Sequence, residues 1–144
     1  MTQHILFEAA GLNLAVAATF VSAVHETLSV QRVPGTCHWF LGLAVVNGRL
    51  LPVTDFGAFA GRRSCTGHTL ELASSASVVG LKIDALKGMR DGKTVEKGDV
   101  RHDDESYASQ VLLTGEVFVI DGLIHHVLDV AALVESPAFV NIRD

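Results

Sequence analysis

The chain has 144 residues, 49% apolar and 19% charged, with 11 Lys and Arg against 16 Asp and Glu for a formal net charge of −5. That length suits one compact domain, or two very small subdomains sharing a core, and so apolar a composition argues against disorder. Apart from the pair Arg62-Arg63 the cations are scattered singly, which argues against the clustered basic footprint of a nucleic-acid-binding protein.

The first apolar run, "AAGLNLAVAATFVSAV", has no basic n-region: Glu8 precedes it and Arg32 is the first Lys or Arg, so it is no export signal. Asn13, Thr19 and Ser22 interrupt the run and His25-Glu26 end it, short of the roughly 20 apolar residues that a membrane helix needs. In "LNLAVAATFVSAVHE" the alanines suit a helix while Val, Thr and Phe suit a strand, and periodicity leaves both open. "LGLAVV" and "LLPV" read as the arms of a hairpin about Asn47-Gly48, because Asn, Asp and Gly accept the positive φ of a tight turn. "TDFGAFAG" reads as a short helix capped by Thr54 or Asp55. The link "ASSAS" forms a hairpin tip ahead of a further strand in "ASVVGLKIDALKGM". Residues 84–109 are the most polar region and read as a solvated connection with at most one short strand. "GEVFVI" and "LIHHVL" make a second hairpin about Asp121-Gly122, running into "LDVAALVES", a helix capped by Asp129 and stopped by Pro137.

The segments Val45–Gly61 and Val119–Glu135 say the same thing twice. Each turn glycine, Gly48 or Gly122, is followed after six residues by an Asp, Asp55 or Asp129, and preceded at six or seven residues by Gly42 or Gly115. Each copy reads as a β-hairpin ending in a capped helical turn. A lone hairpin is marginal in water, so two copies point to two similar small β-barrels packed together. The fold class is therefore all-β, one domain over 1–144 with approximate lobes 1–65 and 66–144 between which strands or a helix can be exchanged. Residues 42–60 and 115–134 should then superpose, one segment in each lobe.

Candidate chemistry is thin. Cys37 and Cys65 have neither metal nor redox spacing and read as reduced, packed thiols of a cytosolic protein. Cys37-His38 and His125-His126 could be drawn as a zinc or thiol–imidazole site. Neighbours on a strand face opposite sides, however, so His125 and His126 read as one core or groove histidine and one solvated histidine. "RHDDE", residues 101–105, matches no cation-binding loop and reads as solvated. Asp55 and Asp129 are caps rather than an acid–base pair. The glycines match no phosphate-binding fingerprint. No catalytic residue, metal ligand or cofactor follows. A ligand- or nucleic-acid-binding small barrel is the alternative function, but it needs a basic aromatic face, and one Trp and one Tyr supply little of one.

In order along the chain, "FEAAGLNLAVAATFVSAVHE" with its Val24-His25-Glu26 ending, "VPGTCHWFLGLAVVNGRLLPVTDFGAFAG", "VVGLKIDALKGM" and "LLTGEVFVIDGLIHHVLDVAALVE" resemble the CheW-like adaptors of bacterial chemosensory systems, including the relatives that serve type IV pilus motility. The resemblance implies two small five-stranded barrels with a groove between them, and makes the N-terminal segment strand. It implies no enzymatic activity. It implies a cytoplasmic scaffold at receptor arrays beneath the inner membrane, bridging chemoreceptor tips and the regulatory domain of a histidine kinase, with no nucleic acid and no direct membrane insertion. The partner-binding groove carried over is Val21, Val24, Glu26, Asn47, Arg49 and Leu70; Gly42, Gly48, Asp55, Gly115, Gly122 and Asp129 are structural turns and caps.

Two departures stand out. Asn47 occupies a position where the family usually has an Arg paired with the residue equivalent to Glu26, and the "LELASSASVVG" hairpin is shorter than usual. Both imply a weakened receptor contact beside an apolar kinase contact, and an Asn47→Arg change that restores a pair with Glu26. The chain ends soon after "AFVNIRD", so no appended output domain is expected.

Overall fold

The computed structural model of the chain describes residues 2–75, 77–92, 95–96 and 113–143. The chain opens with β1 (Thr2–Ala9) and β2 (Leu12–Ala17), and a 3-10 turn at Ala18–Phe20 leads to β3 (Val21–His25). A long loop precedes β4 (Phe40–Val46) and β5 (Arg49–Asp55), which runs into α1 (Phe56–Phe59). Then come β6 (Thr69–Ser74), β7 (Ser77–Lys82), β8 (Ala85–Gly92), the two-residue β9 (Val95–Glu96), β10 (Leu113–Ile120) and β11 (Leu123–Leu128). Two short helices follow, α2 (Val130–Glu135) and α3 (Pro137–Val140). The ambiguous N-terminal segment is strand, turn and strand.

The fold is all-β, as the sequence implied. One sheet has the order β8-β1-β2-β11-β10-β9 and the other β3-β6-β7-β5-β4. Among the described residues no ladder joins the two ends of either sheet, so neither lobe is a hydrogen-bond-closed barrel there.

The two orders match over five strands, and the first sheet adds β9 at its far edge. Each sheet has an edge strand, an antiparallel hairpin, a parallel step, and a second hairpin. The parallel steps are β2 to β11 and β7 to β5, with His126 opposite Leu14 and Val53 opposite Gly80. The repeat therefore spans far more than the two hairpins legible in the sequence. β1–β2 corresponds to β6–β7, β3 to β8, and β4–β5–α1 to β10–β11–α2. The lobes do not divide at residue 65. Each half of the chain gives its first hairpin to the other half's sheet, because parallel neighbours cannot be joined by a tight turn and need a strand arriving from a distance.

Side-chain alternation along these strands builds three apolar layers. Leu6, Ala15, Phe118 and Val127 lie on one face of the first sheet, and Ala44, Leu51 and Val53 on one face of the second. Between the sheets lies the main core, which joins Phe7, Leu14 and Leu128 to Leu70, Leu72, Leu81, Phe56 and Leu133.

Turn chemistry explains the hairpins. Asn47 and Gly48 have φ of 51° and 75°, Asp121 and Gly122 51° and 80°. These pairs of positive values define the primed turn that matches strand twist. Ala10-Gly11 adopts the same turn at φ 50° and 83° without Asn or Asp. Its backbone is held from outside: Ala10 N–H donates to Asp84 Oδ2 at 2.6 Å and Arg62 Nε donates to the Ala10 carbonyl at 2.9 Å.

Two expectations are corrected. "VVGLKIDALKGM" is two strands rather than one, since at Ile83-Asp84 the chain changes sheets: Ile83 bonds with His68 and Gly67, whereas Asp84 N–H donates to the Glu8 carbonyl. Residues 84–109, read as a connection with at most one short strand, hold the two-residue β9 and, ahead of it, the full eight-residue β8 paired with β1. Its residues are almost all exposed, which is why an edge strand there reads as polar. Residues 101–105 lie outside the described residues.

Candidate interaction surfaces

The repeated aspartates are held by backbone. Asp55 Oδ1 accepts from Ala58 N–H at 3.2 Å and also from Cys65 N–H at 3.0 Å; Asp129 Oδ1 accepts from Ala132 N–H at 3.0 Å. Both cysteines are free thiols. Burial pushes the Cys65 thiol up to about 12, so it stays protonated and inert. Among the described residues no group of three or more His, Cys, Asp or Glu could hold a metal ion. His125 and His126 are both buried, at 1% and 6% exposure, which corrects the expectation that one is solvated. The reason is that β11 is an interior strand of its sheet, covered on both faces.

Each sheet presents one edge strand of matched design, β3 or β8. Each has a register shift that leaves one residue unpaired: Ser22 between the Val21–Leu72 and Ala23–Glu71 pairs, Lys87 between the Leu86–Phe7 and Gly88–Leu6 pairs. A bulge of this kind re-aims a side chain. Lys87 Nζ reaches Asn13 Oδ1 and His125 Nε2, both at 2.9 Å. Burial first, and then the Lys87 charge, hold His125 below its ordinary range, so it is the neutral imidazole that accepts this bond. In the other lobe Ser22 Oγ donates to Glu71 Oε2 at 2.6 Å, and His25 Nε2 donates to Glu71 Oε1 at 2.9 Å. After the bulge each edge strand exposes an apolar residue at the corresponding place, Val24 at 39% and Met89 at 53%.

The second lobe ends in an open depression of about 310 Å³, lined by Val46, Asn47, Arg49, Leu50, Leu51, Glu71 and Val78. The hairpin beside it carries the exposed cross-strand pair Val45 and Leu50. In the first lobe the residues corresponding to Leu51 and Val78 are His125 and Asn13, and Lys87 lies across them. Ser22, standing where Lys87 stands in the repeat, is too short to do the same.

The expected groove residues do not form one groove. Leu70, at 0% exposure, and half-buried Val21 belong to the main core, because alternation in β6 puts Leu70 with Leu72 on the inter-sheet face. Val24 and Glu26 are exposed on and just after the edge strand β3. Asn47 and Arg49 line the open depression, whereas Glu26 lines a different one, of about 200 Å³, with Leu28, Thr69 and Lys82. The carboxylate that shares a depression with residues 47 and 49 is Glu71, so an Asn47→Arg side chain would meet Glu71 rather than Glu26. Glu71 marks its place in the sequence only through register: it stands opposite Ala23 and Gly80.

An all-β chain of two matched sheets, with edge strands and a hairpin tip displaying apolar side chains, is a domain built to present surfaces. A profile of the CheW-like domain matches residues 3–138, and the chain belongs to that family. The fold is similar to the crystal structure of scaffolding protein TtCheW from Thermoanaerobacter tengcongensis, with a TM-score of 0.76 at 16% identity over 95% of this chain and 94% of that one. No functionally curated protein matches the chain.

Proposed function

We propose that this chain is a non-enzymatic adaptor that couples chemoreceptors to a CheA-type histidine kinase, in chemotaxis or in type IV pilus signalling. The observation that carries this reading is the CheW-like match across residues 3–138 on a two-sheet fold shared with a scaffolding protein. The adaptor would work in the cytoplasm, at receptor arrays. Among the described residues no helix is long and apolar enough to cross a membrane.

Two surfaces are assigned to two partners. The kinase regulatory domain meets the open end of the second lobe, where Val45 and Leu50 are 69% and 66% exposed beside Arg49. Solvent-exposed apolar pairs at a hairpin tip are anchors for a partner's apolar end. The chemoreceptor tip meets the edge strand β3 through Val24 and Glu26. The test is titration of the purified chain with each isolated partner. Saturable binding of the kinase domain, tighter than that of the receptor tip, is the expected result; binding of neither would overturn the reading.

A further inference from the structure

We infer that Glu71 is the positioning residue of the β3 surface, clasping that edge strand at both ends of the segment that presents Val24. The inference rests on the reading of β3 as a partner-binding edge.

The geometry is specific. β3 is an edge strand, so it has a ladder on one side only, and its pairing with β6 is interrupted at Ser22. An interrupted edge ladder opens easily unless side chains reinforce it. Glu71 supplies two such bonds from one carboxylate, Oε2 to Ser22 Oγ at 2.6 Å and Oε1 to His25 Nε2 at 2.9 Å. Ser22 and His25 bracket Ala23 and Val24, so the carboxylate fixes the segment from which Val24 projects.

The internal repeat makes the case stronger. If Ala9 and Ser74, the last paired residues before the two hairpin turns, are equated, Glu71 corresponds to Leu6 and Gly80 to Ala15. Leu6 and Ala15 pack in the apolar layer of their lobe. The second lobe has a carboxylate where the first has a leucine, and a glycine where the first has a methyl group. A side chain at Gly80 would crowd Thr69, Leu51 and Val53, its Cβ falling 3.1–3.2 Å from them. Where Leu6 adds to an apolar layer, the carboxylate at position 71 bonds the edge strand beside it.

The surroundings favour the charged form. The Ser22 hydroxyl first, then His25, hold the Glu71 carboxyl below the usual carboxylate range, with a contribution from Arg49 across the depression. Ser22 and His25 face Glu71 from β3 and Arg49 faces it from β5, while its partner on β7 is the uncharged Gly80. Because the folded carboxyl lies below its unfolded value, the clasp is fully present above the ordinary carboxylate range. It opens as pH falls through the folded value.

The experiment compares the wild type with Glu71→Gln, which keeps the shape and loses the charge, and Glu71→Leu, which copies the first lobe. Amide hydrogen exchange of the free protein is read at residues 21–25, and binding is then titrated with a receptor tip and with a kinase regulatory domain. In Glu71→Leu, protection of residues 21–25 falls by about tenfold or more while the strands of the first sheet keep theirs. Receptor-tip affinity falls by a similar factor, and kinase affinity stays within about twofold. Unchanged protection at residues 21–25 overturns the clasp. A loosened β3 with undiminished receptor affinity overturns its positioning role. A wild type that binds no receptor tip counts against the adaptor reading, and the exchange data then decide the clasp alone.

Discussion

The two edge strands carry the same bulge and use it differently. In β8 the unpaired residue is Lys87, whose side chain spans the end of its lobe and binds Asn13 and His125. In β3 it is Ser22, which reaches only Glu71 and leaves an open depression of about 310 Å³. One repeated backbone thus carries Lys87 bonded across Asn13 and His125 in one lobe and, in the other, Ser22 bonded to Glu71 beside an open depression. The lesson is that pseudo-symmetry in the ladder does not carry over to the surface.

The sharpest way to probe this asymmetry is at the paired bulge glycines. Gly42, at φ 137°, sits where an added Cβ would lie 2.1 Å from the Gln31 carbonyl oxygen, whereas Gly115, at φ 90°, has nothing nearby. Gly42→Ala should cost more than about 3 kcal/mol, since backbone must move, and Gly115→Ala only about 1–2 kcal/mol, from conformation alone. Urea unfolding of the two variants checks this; equal losses would mean that the loop carrying Gln31 does not pack against β4 as described.

A smaller contrast is expected at the helix caps. Asp55 holds two backbone N–H groups and Asp129 one. Asp55→Ala should therefore cost about 2 kcal/mol and Asp129→Ala about 1 kcal/mol, again by urea unfolding. The smallest effect concerns the contact between Lys87 and His125. His125 is held neutral in the folded protein, so below its ordinary value of 6.5 the unfolded chain takes up more protons and stability declines as pH falls. His125→Leu, which copies Leu51 of the other lobe, should flatten that decline below about pH 6.5. A wild-type curve as flat as the variant's would contradict a neutral His125 at this contact.

Much of this fold was legible because its signals are local. Asn47-Gly48, Asp121-Gly122 and the aspartates seven residues beyond each glycine act through their own backbone, and the residues themselves carry that chemistry. The other half of the repeat was legible in part: "ASSAS" marked the hairpin tip at Ser75, whereas Ala10-Gly11 uses the same positive φ without Asn or Asp to advertise it. The strand read in "ASVVGLKIDALKGM" took in the start of β8 but not the change of sheets at Ile83-Asp84. The candidate surface was legible only in part. Val24 and Glu26 are exposed on and just after β3, but the alternation Leu70-Glu71-Leu72 already carried the signal that Leu70 faces the core and Glu71 faces away from it. Which carboxylate meets the turn at Asn47 depends on strand order, and no local pattern encodes that.

The division of labour between the open lobe end and the β3 edge is tested most directly by a crossed titration. Leu50→Asp and Val24→Asp, both at exposed positions, are each measured against a kinase regulatory domain and a receptor tip beside the wild type. Leu50→Asp should weaken the kinase domain by about tenfold or more and leave the receptor tip within about twofold, and Val24→Asp should do the reverse. If either variant weakens both partners equally, or neither, the two surfaces are not separate and the asymmetry between the lobes does not divide the partners.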